Sequence, residues 1–303
     1  MAKSFYTLDD LRHWDAVVDS LTPLARLAVI GDPVAHSKSP QMHNPALLAR
    51  DIDAQYIRVQ IPAGSVKEAL QLFAQHGFLG INCTIPHKFE ALSVMDSVDD
   101  LALKLGAVNT VAIRDGKLFG YNTDGPGFLR SVAEAFGRPV RDLRILIIGA
   151  GGGAGQAVAM QCAMEKCPKL VLLNRSLHKI QELEKACLAA SPATEVILSE
   201  WSGEQLTRLL GEVDLVVNAT PIGMKENDAP LFDLSRITRN HLIYDMVYRA
   251  AADTSLIVAA KQAGAKTCHG LTLLLHQGAL SFGHWFGNPI PLETMRAALF
   301  VKD

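Results

Sequence analysis

The sequence lacks the features that mark membrane proteins, secreted proteins and nucleic-acid-binding proteins. No apolar run approaches the ~18 residues that a membrane-spanning helix needs. The opening residues, MAKSFYTLDDLRHWDAVV, hold no unbroken apolar stretch of the secretory kind. The 29 Lys and Arg residues nearly balance the 31 Asp and Glu residues, so no excess of positive charge favours a phosphate backbone or an anionic lipid surface. These absences predict a cytoplasmic protein without a nucleic-acid or membrane partner.

Cysteine is scarce, and histidine forms no metal motif. The chain has five cysteines and no C-x-x-C pair, which predicts buried thiols in a reducing compartment. Its ten histidines include no H-E-x-x-H motif and no close cluster with cysteine, so we expect no metal site. We expect His36, His43 and His87 to be hydrogen-bonding scaffold residues.

Short β-rich runs alternate with segments of helical period. The chain has 303 residues, 49% of them hydrophobic, which allows one or two domains. The first series predicts strands at 27–31, 55–60 and 80–85 and helices at 41–50 and 65–77. Such alternation predicts a mostly parallel sheet with helices on both sides. The first 24 residues look like an appended helix.

A second α/β series follows a predicted hairpin around Asp115-Gly116. Its segments lie at 144–165, 169–176, 213–224 and 241–248. Apolar helices are predicted at 271–286 and 292–300. We therefore predict an α/β fold of two domains, an N-terminal α/β substrate domain with a mostly parallel sheet and a Rossmann-type NADP-binding domain, with a boundary near residues 124–142.

The segment ILIIGAGGGAGQAVAMQ contains a glycine loop between a predicted strand and a small-residue helix. In the G-x-G-x-x-[G/A] spacing, Gly149 permits the turn, Gly151 lets pyrophosphate approach and Ala154 packs the helix against the strand. The alternative is a purely structural glycine turn. The run holds one glycine more than the motif needs, which leaves its register open by one residue.

The end of the following strand indicates which dinucleotide binds. An NAD site places an acid there, about 20 residues after the loop. Here the strand ends in Asn174-Arg175-Ser176, with Lys179 one turn later and no acid. This favours NADP(H), whose 2′-phosphate needs positive charge. The alternative is that Arg175 and Lys179 are ordinary solvated residues at a helix start.

Three polar clusters follow strands in the N-terminal half, and a fourth stands at the domain boundary. They are GDPVAHSKSPQMHN (31–44), NCTIPHK (82–88), GAVNTV (106–111) and GYNTDGPGF (120–128). Each alone could be a helix start, a strand end or a surface charge, and Asp124 could be a helix cap. Because ligands bind beyond the carboxyl ends of parallel strands, the clusters together predict a ligand cleft.

These motifs, with GAGGG, NRS, NATPIGM and GLTLLLHQGA, resemble the shikimate dehydrogenase family in order and spacing over residues 26–300. The resemblance implies reversible, NADP(H)-dependent reduction of 3-dehydroshikimate to shikimate in chorismate and aromatic amino-acid biosynthesis. It implies a catalytic pair, Lys88 and Asp124. The substrate residues that it implies are Ser37, Ser39 and Thr84 for the carboxylate, Asn82 and Asn109 for ring hydroxyls, and Gln277 and Tyr248.

The resemblance also implies a set of cofactor-binding residues. They are Gly149, Ala150, Gly151, Gly152, Gly153, Ala154, Asn174, Arg175, Ser176, Lys179, Ala219, Thr220, Pro221, Met246 and Gly270. We expect residues 1–124 with 270–303 to form the substrate domain and 125–269 the NADP(H) domain, in a monomer or homodimer.

Two other functions stay open at this point. The first is a quinate or dual quinate/shikimate dehydrogenase, perhaps using NAD. The second is a catalytically silent nucleotide-binding sensor, which predicts damage at Lys88 or Asp124, and neither is damaged. The sequence departs from the commonest family pattern at Cys83, Thr272, Leu273, Lys179 and the segment after Tyr248.

Overall fold

Two β-sheets organise the part of the chain that the computed structural model describes, residues 3–249 and 252–301. The elements up to residue 121 are β1 Tyr6–Thr7, α1 Leu8–Arg12, α2 Asp15–Val18, β2 Ala25–Gly31, α3 Ser39–Leu48, β3 Gln55–Gln60, α4 Val66–Gln75, β4 Gly80–Cys83, α5 Lys88–Leu92, β5 Ser97–Val98, α6 Asp100–Leu105, β6 Thr110–Arg114 and β7 Lys117–Tyr121. The later elements are α7 Asp124–Phe136, β8 Arg144–Ile148, α8 Gly153–Met164, β9 Lys169–Asn174, α9 Gln181–Ala190, β10 Glu195–Glu200, α10 Gly203–Leu210, β11 Leu215–Asn218, β12 Leu242–Asp245, α11 Ser255–Gln262, β13 Lys266–His269, α12 Gly270–Phe286 and α13 Leu292–Leu299, with single 3-10 turns at Val140–Asp142, Leu177–Lys179 and Leu234–Arg236.

The first sheet is mostly parallel, in the order β1-β3-β2-β4-β6-β7-β5. Only β6 runs antiparallel to its neighbours, β4 and β7. The turn between β6 and β7 has positive φ at both central residues, 51° at Asp115 and 73° at Gly116, as a tight hairpin turn requires. The predicted hairpin is therefore confirmed.

The second sheet has six parallel strands in the order β10-β9-β8-β11-β12-β13. Counted from β8, this is the Rossmann order 3-2-1-4-5-6, and the direction of winding reverses between β8 and β11. Its strands are continuous runs of buried Val, Ile and Leu, such as RILII in β8, as expected where helices cover both faces of a parallel sheet. The predicted fold class is confirmed.

The chain divides into two units. The first unit contains the described residues up to Thr123 and those from Gln277 onward, and the second unit is Asp124–His276. Each unit holds one sheet and its own core, built around Phe73 and Phe78 in the first unit and around Val171 and Val216 in the second. Within the described ranges, none of the helices combines the length and apolar character that crossing a membrane requires.

The N-terminal segment differs from the single appended helix that we expected. It forms the short strand β1 and the two short helices α1 and α2. Strand β1 pairs in parallel with β3 and extends the sheet, while Leu11 and Trp14 are buried in the core. Arg12 Nε donates to Glu68 of α4 at 2.7 Å. The segment therefore covers an otherwise open sheet edge.

Candidate active site

The turn that leads into α3 brings two predicted substrate residues together. Ser37 and Ser39 are buried, and the Ser37 hydroxyl donates to the Ser39 hydroxyl at 3.2 Å. Arg58 of β3 holds this turn, because its Nε donates to the Ser37 carbonyl oxygen at 2.7 Å. The first N–H groups of α3 lack an intrahelical acceptor. Two hydroxyls beside a helix N-terminus suit a carboxylate ligand.

Thr84 and Lys88 follow β4. The Thr84 N–H donates to the Ile30 carbonyl oxygen at 2.9 Å, and a β-carbon at Gly31 would lie 2.6 Å from the Thr84 methyl. Half-buried Lys88 is the first residue of α5, and its carbonyl oxygen accepts from the Val108 N–H at 3.0 Å. Thr84 and Lys88 thus lie beyond the carboxyl end of β4, which pairs in parallel with β2, at the edge where ligands of such sheets bind.

Asn109 and Gln277 form a pair of buried amides. Asn109 Nδ2 lies 3.4 Å from Gln277 Oε1, on α12. Asn109 Oδ1 accepts from the Thr123 backbone N–H at 2.8 Å. Since a backbone N–H can only donate, this bond fixes which amide atom is the oxygen. Asn109 therefore presents its NH2 group to Gln277 Oε1 and to the Thr123 hydroxyl, 3.0 Å away. Its contact with a ring hydroxyl stays a prediction.

Asn82 bonds to protein through both of its polar atoms. Its Oδ1 accepts from the Tyr56 phenol at 2.8 Å, and its Nδ2 lies 3.1 Å from Thr110 Oγ1 and 3.0 Å from Ser281 Oγ. Burial raises the pKa of Tyr56 well above its ordinary value, with a smaller opposing effect of the Ser39 hydroxyl, so the phenol stays protonated and can donate. The contact of Asn82 with substrate stays a prediction.

His43 does not form the scaffold hydrogen bonds that we expected. Its ring is fully buried and stacks on Tyr56, with centroids 4.5 Å apart and an interplanar angle of 10°. Neither ring nitrogen has a hydrogen-bond partner among the described residues. Burial lowers the pKa of His43 to about 3, so a neutral ring supports Tyr56 by packing.

Asp124 and Tyr248 belong to the second unit. Asp124 is buried and is the first residue of α7. Tyr248 is half-buried after β12, and a β-carbon at Gly270 would collide with the Met246 carbonyl oxygen and lie 3.1 Å from the Tyr248 ring. Glycine at this position therefore lets the start of α12 approach the segment after β12. The predicted pairing of Asp124 with Lys88, which lies in the first unit, stays a prediction.

The glycine loop joins β8 to α8 and leaves no room for a side chain at Gly149 or Gly151. Gly149 has a φ of +87°, and a β-carbon on it would lie 2.5 Å from the Thr220 methyl. A β-carbon on Gly151 would lie 2.9 Å from Asn174 Nδ2. The Ala150 N–H donates to the carbonyl oxygen at the end of β9. The loop backbone is thus held between the ends of two neighbouring strands.

The packing role that we expected of Ala154 belongs to Gly155. Gly152 precedes α8 with extended backbone, and Gly153 is its first residue. A β-carbon on Gly155 would lie 2.5 Å from the Gly149 carbonyl oxygen, whereas Ala154 is half-buried and carries a methyl group. The extra glycine therefore moves the close approach of helix and loop by one residue.

At the end of β9, Asn174 is hydrogen-bonded to the glycine loop, and two positively charged residues follow it. Asn174 Oδ1 accepts from the Gly151 N–H at 3.4 Å, and its Nδ2 donates to the Ser176 carbonyl oxygen at 3.0 Å. Arg175 and Lys179 are exposed, and residues 174–180 include no acid. Asparagine thus stands at the position where an NAD site places a carboxylate.

A buried polar chain that the sequence analysis missed holds the loop after β11. Asn218 Oδ1 accepts from the Thr220 N–H at 3.0 Å and from its hydroxyl at 2.7 Å, while Asn218 Nδ2 donates to Asp245 Oδ1 at 2.8 Å. Asp245 Oδ2 accepts from the Thr254 hydroxyl at 2.6 Å. Burial raises the pKa of Asp245, and its three hydrogen-bond donors oppose that rise. This chain fixes the loop that contains Ala219, Thr220 and Pro221.

The second unit fits a phosphorylated dinucleotide. Its glycine loop is held close to Thr220 and Asn174 with no β-carbon at Gly149 or Gly151, and the N-terminus of α8 follows directly. The neighbouring strand ends in cations without an acid. In residues 3–249 and 252–301, no group of three or more His, Cys, Asp or Glu side chains could hold a metal ion.

Three family models match successive parts of the chain. Residues 29–111 match the shikimate dehydrogenase substrate binding domain. Residues 145–262 match the saccharopine dehydrogenase NADP binding domain, and residues 270–300 match the shikimate 5′-dehydrogenase C-terminal domain. The matched ranges cover parts of both sheets and the last two helices.

Individual relatives match nearly the whole chain. The shikimate dehydrogenase (NADP(+)) of Symbiobacterium thermophilum is 38% identical over 274 residues, which are 90% of this chain and 92% of the relative. The shikimate 5-dehydrogenase of Thermus thermophilus, solved with NADP(H) and shikimate, has a TM-score of 0.79 at 33% identity and covers 91% of this chain and 98% of its own. The quinate dehydrogenase of Corynebacterium glutamicum, solved with NAD, has a TM-score of 0.80 at 31% identity over 90% and 97%.

Proposed function

Because the chain belongs to the shikimate dehydrogenase family, we propose that it catalyses the reversible, NADPH-dependent reduction of 3-dehydroshikimate to shikimate in chorismate and aromatic amino-acid biosynthesis. One observation carries the proposal, the match over 274 residues at 38% identity to an NADP-dependent shikimate dehydrogenase. That match spans 90% of this chain and 92% of the relative. The five buried, unpaired cysteines are consistent with a cytoplasmic enzyme, and we expect a monomer or homodimer.

The first unit supplies the groups that recognise the substrate. Ser37 and Ser39, at the start of α3, bind its carboxylate, helped by Thr84 beyond β4. Asn109 and Gln277, 3.4 Å apart, bind ring hydroxyls. Asn82 and Tyr248 complete the predicted substrate set, Asn82 from the first unit and Tyr248 from the second.

Lys88 and Asp124 carry the proton chemistry. Bound NADPH supplies the hydride to the carbonyl carbon. The charge that develops on the carbonyl oxygen is stabilised by the Lys88 ammonium, which also supplies the proton. The Asp124 carboxylate orients the lysine amine and favours its protonated form. In the reverse direction, the neutral Lys88 amine takes the proton from the shikimate hydroxyl.

The second unit binds the cofactor, mainly through backbone. Gly149, Ala150, Gly151, Gly152, Gly153 and Ala154 line the pyrophosphate. Asn174, Arg175, Ser176 and Lys179 face the 2′-phosphate, where two cations and two neutral groups suit a dianion. The remaining cofactor residues are Ala219, Thr220, Pro221, Met246 and Gly270. The functional domains that we propose are residues 1–124 with 270–303 for substrate and 125–269 for NADP(H).

A quinate or dual quinate/shikimate activity is the second candidate. The fold is shared with a quinate dehydrogenase solved with NAD, and hydroxyls such as those of Ser37 and Ser39 can bind the carboxylate of either acid. The absence of an acid in residues 174–180 argues against NAD. Shikimate with NADP+ is therefore the preferred pair.

The deciding experiment measures initial rates by nicotinamide absorbance, with shikimate and quinate each paired with NADP+ and NAD+. We expect the highest kcat/KM for shikimate with NADP+, and a loss of about 100- to 10,000-fold in Lys88→Ala. Exposed Lys67 gives the matched control Lys67→Ala, which should keep wild-type rates. Faster turnover of quinate or of NAD+ would replace the first candidate by the second. Binding of NADPH without turnover in any pair would support a silent sensor.

A further inference from the structure

Tyr56 is a buried polar residue that none of the predicted roles uses. It lies on β3 with 1% of its surface exposed. Its ring stacks on His43, and its hydroxyl donates to Asn82 Oδ1 at 2.8 Å. Packing alone would be served equally well by phenylalanine. The hydroxyl therefore calls for an explanation in terms of the hydrogen bond that it makes.

The orientation of Asn82 follows from a backbone group. Asn82 Nδ2 lies 3.2 Å from the carbonyl oxygen of Asn109, and a carbonyl oxygen can only accept a hydrogen bond. Asn82 Oδ1 must therefore face Tyr56, and Tyr56 must be the donor. The two hydrogens of the Asn82 NH2 group are shared among the Asn109 carbonyl oxygen and the hydroxyls of Thr110 and Ser281, 3.1 and 3.0 Å away.

The direction of these bonds is passed on to the predicted substrate residues. Because Thr110 accepts from Asn82, its own hydroxyl hydrogen is available to Asn109 Oδ1, 3.0 Å away. Ser281 likewise donates to the Gln277 carbonyl oxygen at 3.0 Å. Asn109 Oδ1 is thereby held on the protein side.

We propose that Tyr56 is a positioning residue for the substrate, because its hydroxyl begins a chain of hydrogen bonds through Asn82 and Thr110 to Asn109 Oδ1. Together with the Thr123 backbone N–H, this chain holds the Asn109 NH2 group in place as a donor toward a ring hydroxyl. Ser281 supports the same chain from α12. This inference rests on the proposed function, since it assigns Asn109 to the substrate. It adds Tyr56, Thr110 and Ser281 to the residues that determine substrate recognition.

Removal of the phenol hydroxyl tests the chain. In Tyr56→Phe, buried Asn82 Oδ1 loses its donor, so Asn82 is held through its NH2 group alone and the hold of Thr110 on Asn109 weakens. We expect the KM for shikimate to rise on the order of 10-fold, since one buried hydrogen bond is lost. The KM for NADP+ should stay unchanged, because Tyr56 lies outside the unit that binds the cofactor.

A second measurement distinguishes positioning from a general loss of stability. The wild-type enzyme and Tyr56→Phe are each compared on shikimate and on the two analogues that lack one of its non-reacting ring hydroxyls. The wild-type enzyme should lose kcat/KM on the analogue without the hydroxyl that Asn109 binds, relative to shikimate. In Tyr56→Phe this loss should be smaller by a factor of at least about 3. A purely structural role would leave that ratio unchanged. Tyr6→Phe, at another buried tyrosine of the same unit, is the matched control and should retain the wild-type ratio.

The outcomes separate this inference from the proposed function. Wild-type turnover of shikimate with unchanged constants in Tyr56→Phe, or an equal effect of Tyr6→Phe, would overturn the inference alone. Absence of wild-type turnover would overturn the proposed function and the inference with it. Should Tyr56→Phe fail to fold, Ser281→Ala removes another partner of Asn82 and must show the same rise in KM for shikimate.

Discussion

The two units prepare their predicted sites by different physical means. In the first unit, buried side chains orient one another by hydrogen bonds, from Tyr56 and Asn82 to Asn109. In the second unit, missing β-carbons at Gly149 and Gly155 let the backbone itself form the site. The site of the first unit therefore depends on which side-chain atoms donate hydrogen bonds. The site of the second unit depends on the absence of side-chain atoms beside the loop backbone. Isosteric changes should therefore disable one unit and added methyl groups the other.

The largest effect is expected from reversing one donor in the first unit. Asn109→Asp keeps the size of the side chain but replaces the NH2 group by an oxygen, which repels Gln277 Oε1 and can no longer donate to a hydroxyl of the substrate. We expect kcat/KM for shikimate to fall by about 100-fold or more. The KM for NADP+ should change little, and steady-state kinetics with each substrate varied in turn measures both. Equal losses for both substrates would contradict a division of labour between the units.

The corresponding change in the second unit adds a single methyl group. In Gly155→Ala the new β-carbon lies 2.5 Å from the Gly149 carbonyl oxygen, so loop and helix must separate. We expect the KM for NADP+ to rise about 30-fold, from an overpacking cost of 1–3 kcal/mol, with substrate recognition by the first unit preserved. Gly203→Ala is the control, because nothing lies within 4 Å of a β-carbon there. Unchanged NADP+ binding in Gly155→Ala would refute the steric account.

Removal of a positive charge at the end of β9 should have a smaller effect than Gly155→Ala, and it should change the preference for NADP+ over NAD+. Arg175→Ala removes a cation from the predicted 2′-phosphate site. We expect the ratio of kcat/KM for NADP+ over NAD+ to fall about 20-fold, the size of a charge-assisted hydrogen bond. Arg141→Ala, at an exposed arginine in the 3-10 turn before β8, should leave the ratio at its wild-type value. If Arg175→Ala leaves this ratio unchanged, Arg175 is an ordinary solvated residue and does not bind the 2′-phosphate.

The smallest effect concerns stability and contrasts the buried titratable groups of the two units. The pKa of His43 in the folded first unit is about 3, lowered by burial, against ~6.5 in the unfolded chain. The unfolded state therefore binds more protons between these values, and stability falls as pH drops below 6.5. One pH unit below 6.5, protonation of His43 in the unfolded chain lowers the free energy of unfolding by about 1.4 kcal/mol, which is a factor of ten in the folding equilibrium. Burial shifts the pKa of Asp245 upward in the second unit, so its contribution has the opposite sign and stability falls as pH rises from about 3.8.

Urea denaturation followed by tryptophan fluorescence can test the His43 contribution, because Trp285 lies 5.3 Å from the His43 ring. His43→Phe should flatten the pH dependence between 4 and 6.5 whatever its effect at neutral pH. The same substitution at exposed His178 should leave the slope at its wild-type value. If both variants keep the wild-type slope, His43 is not the group responsible.

The sequence predicted the elements best where local pattern and turn chemistry agree. The strand QYIRVQ, the Asp115-Gly116 hairpin and the Rossmann-type series were all found from periodicity and turn residues. The prediction of a single helix for the N-terminal segment was wrong. The buried face of TLDDLRHW could not show that Tyr6 and Thr7 pair with a strand fifty residues later.

The polar groups of the site were predictable only in part. Ser37, Ser39, Lys88 and Asn109 stood out because they follow strands in polar runs. Tyr56, Asp245 and Ser281 lie inside segments predicted as strands or helices, and no polar run marked them as site residues. The prediction for His43 was wrong in the opposite sense. It lies in a polar motif and was expected to form hydrogen bonds, but its ring has no hydrogen-bond partner among the described residues.

The sequence alone determined the two α/β series, the hairpin, the glycine loop and the absence of an acid after β9, because each depends on residues that are neighbours in the chain. Only the tertiary structure decided that Asn82 is held by Tyr56, 26 residues away, and by Ser281, 199 residues away. It also decided that Gly155 rather than Ala154 meets the loop. Hydrogen-bond direction and close packing are properties of atoms that folding brings together, and no local pattern encodes them.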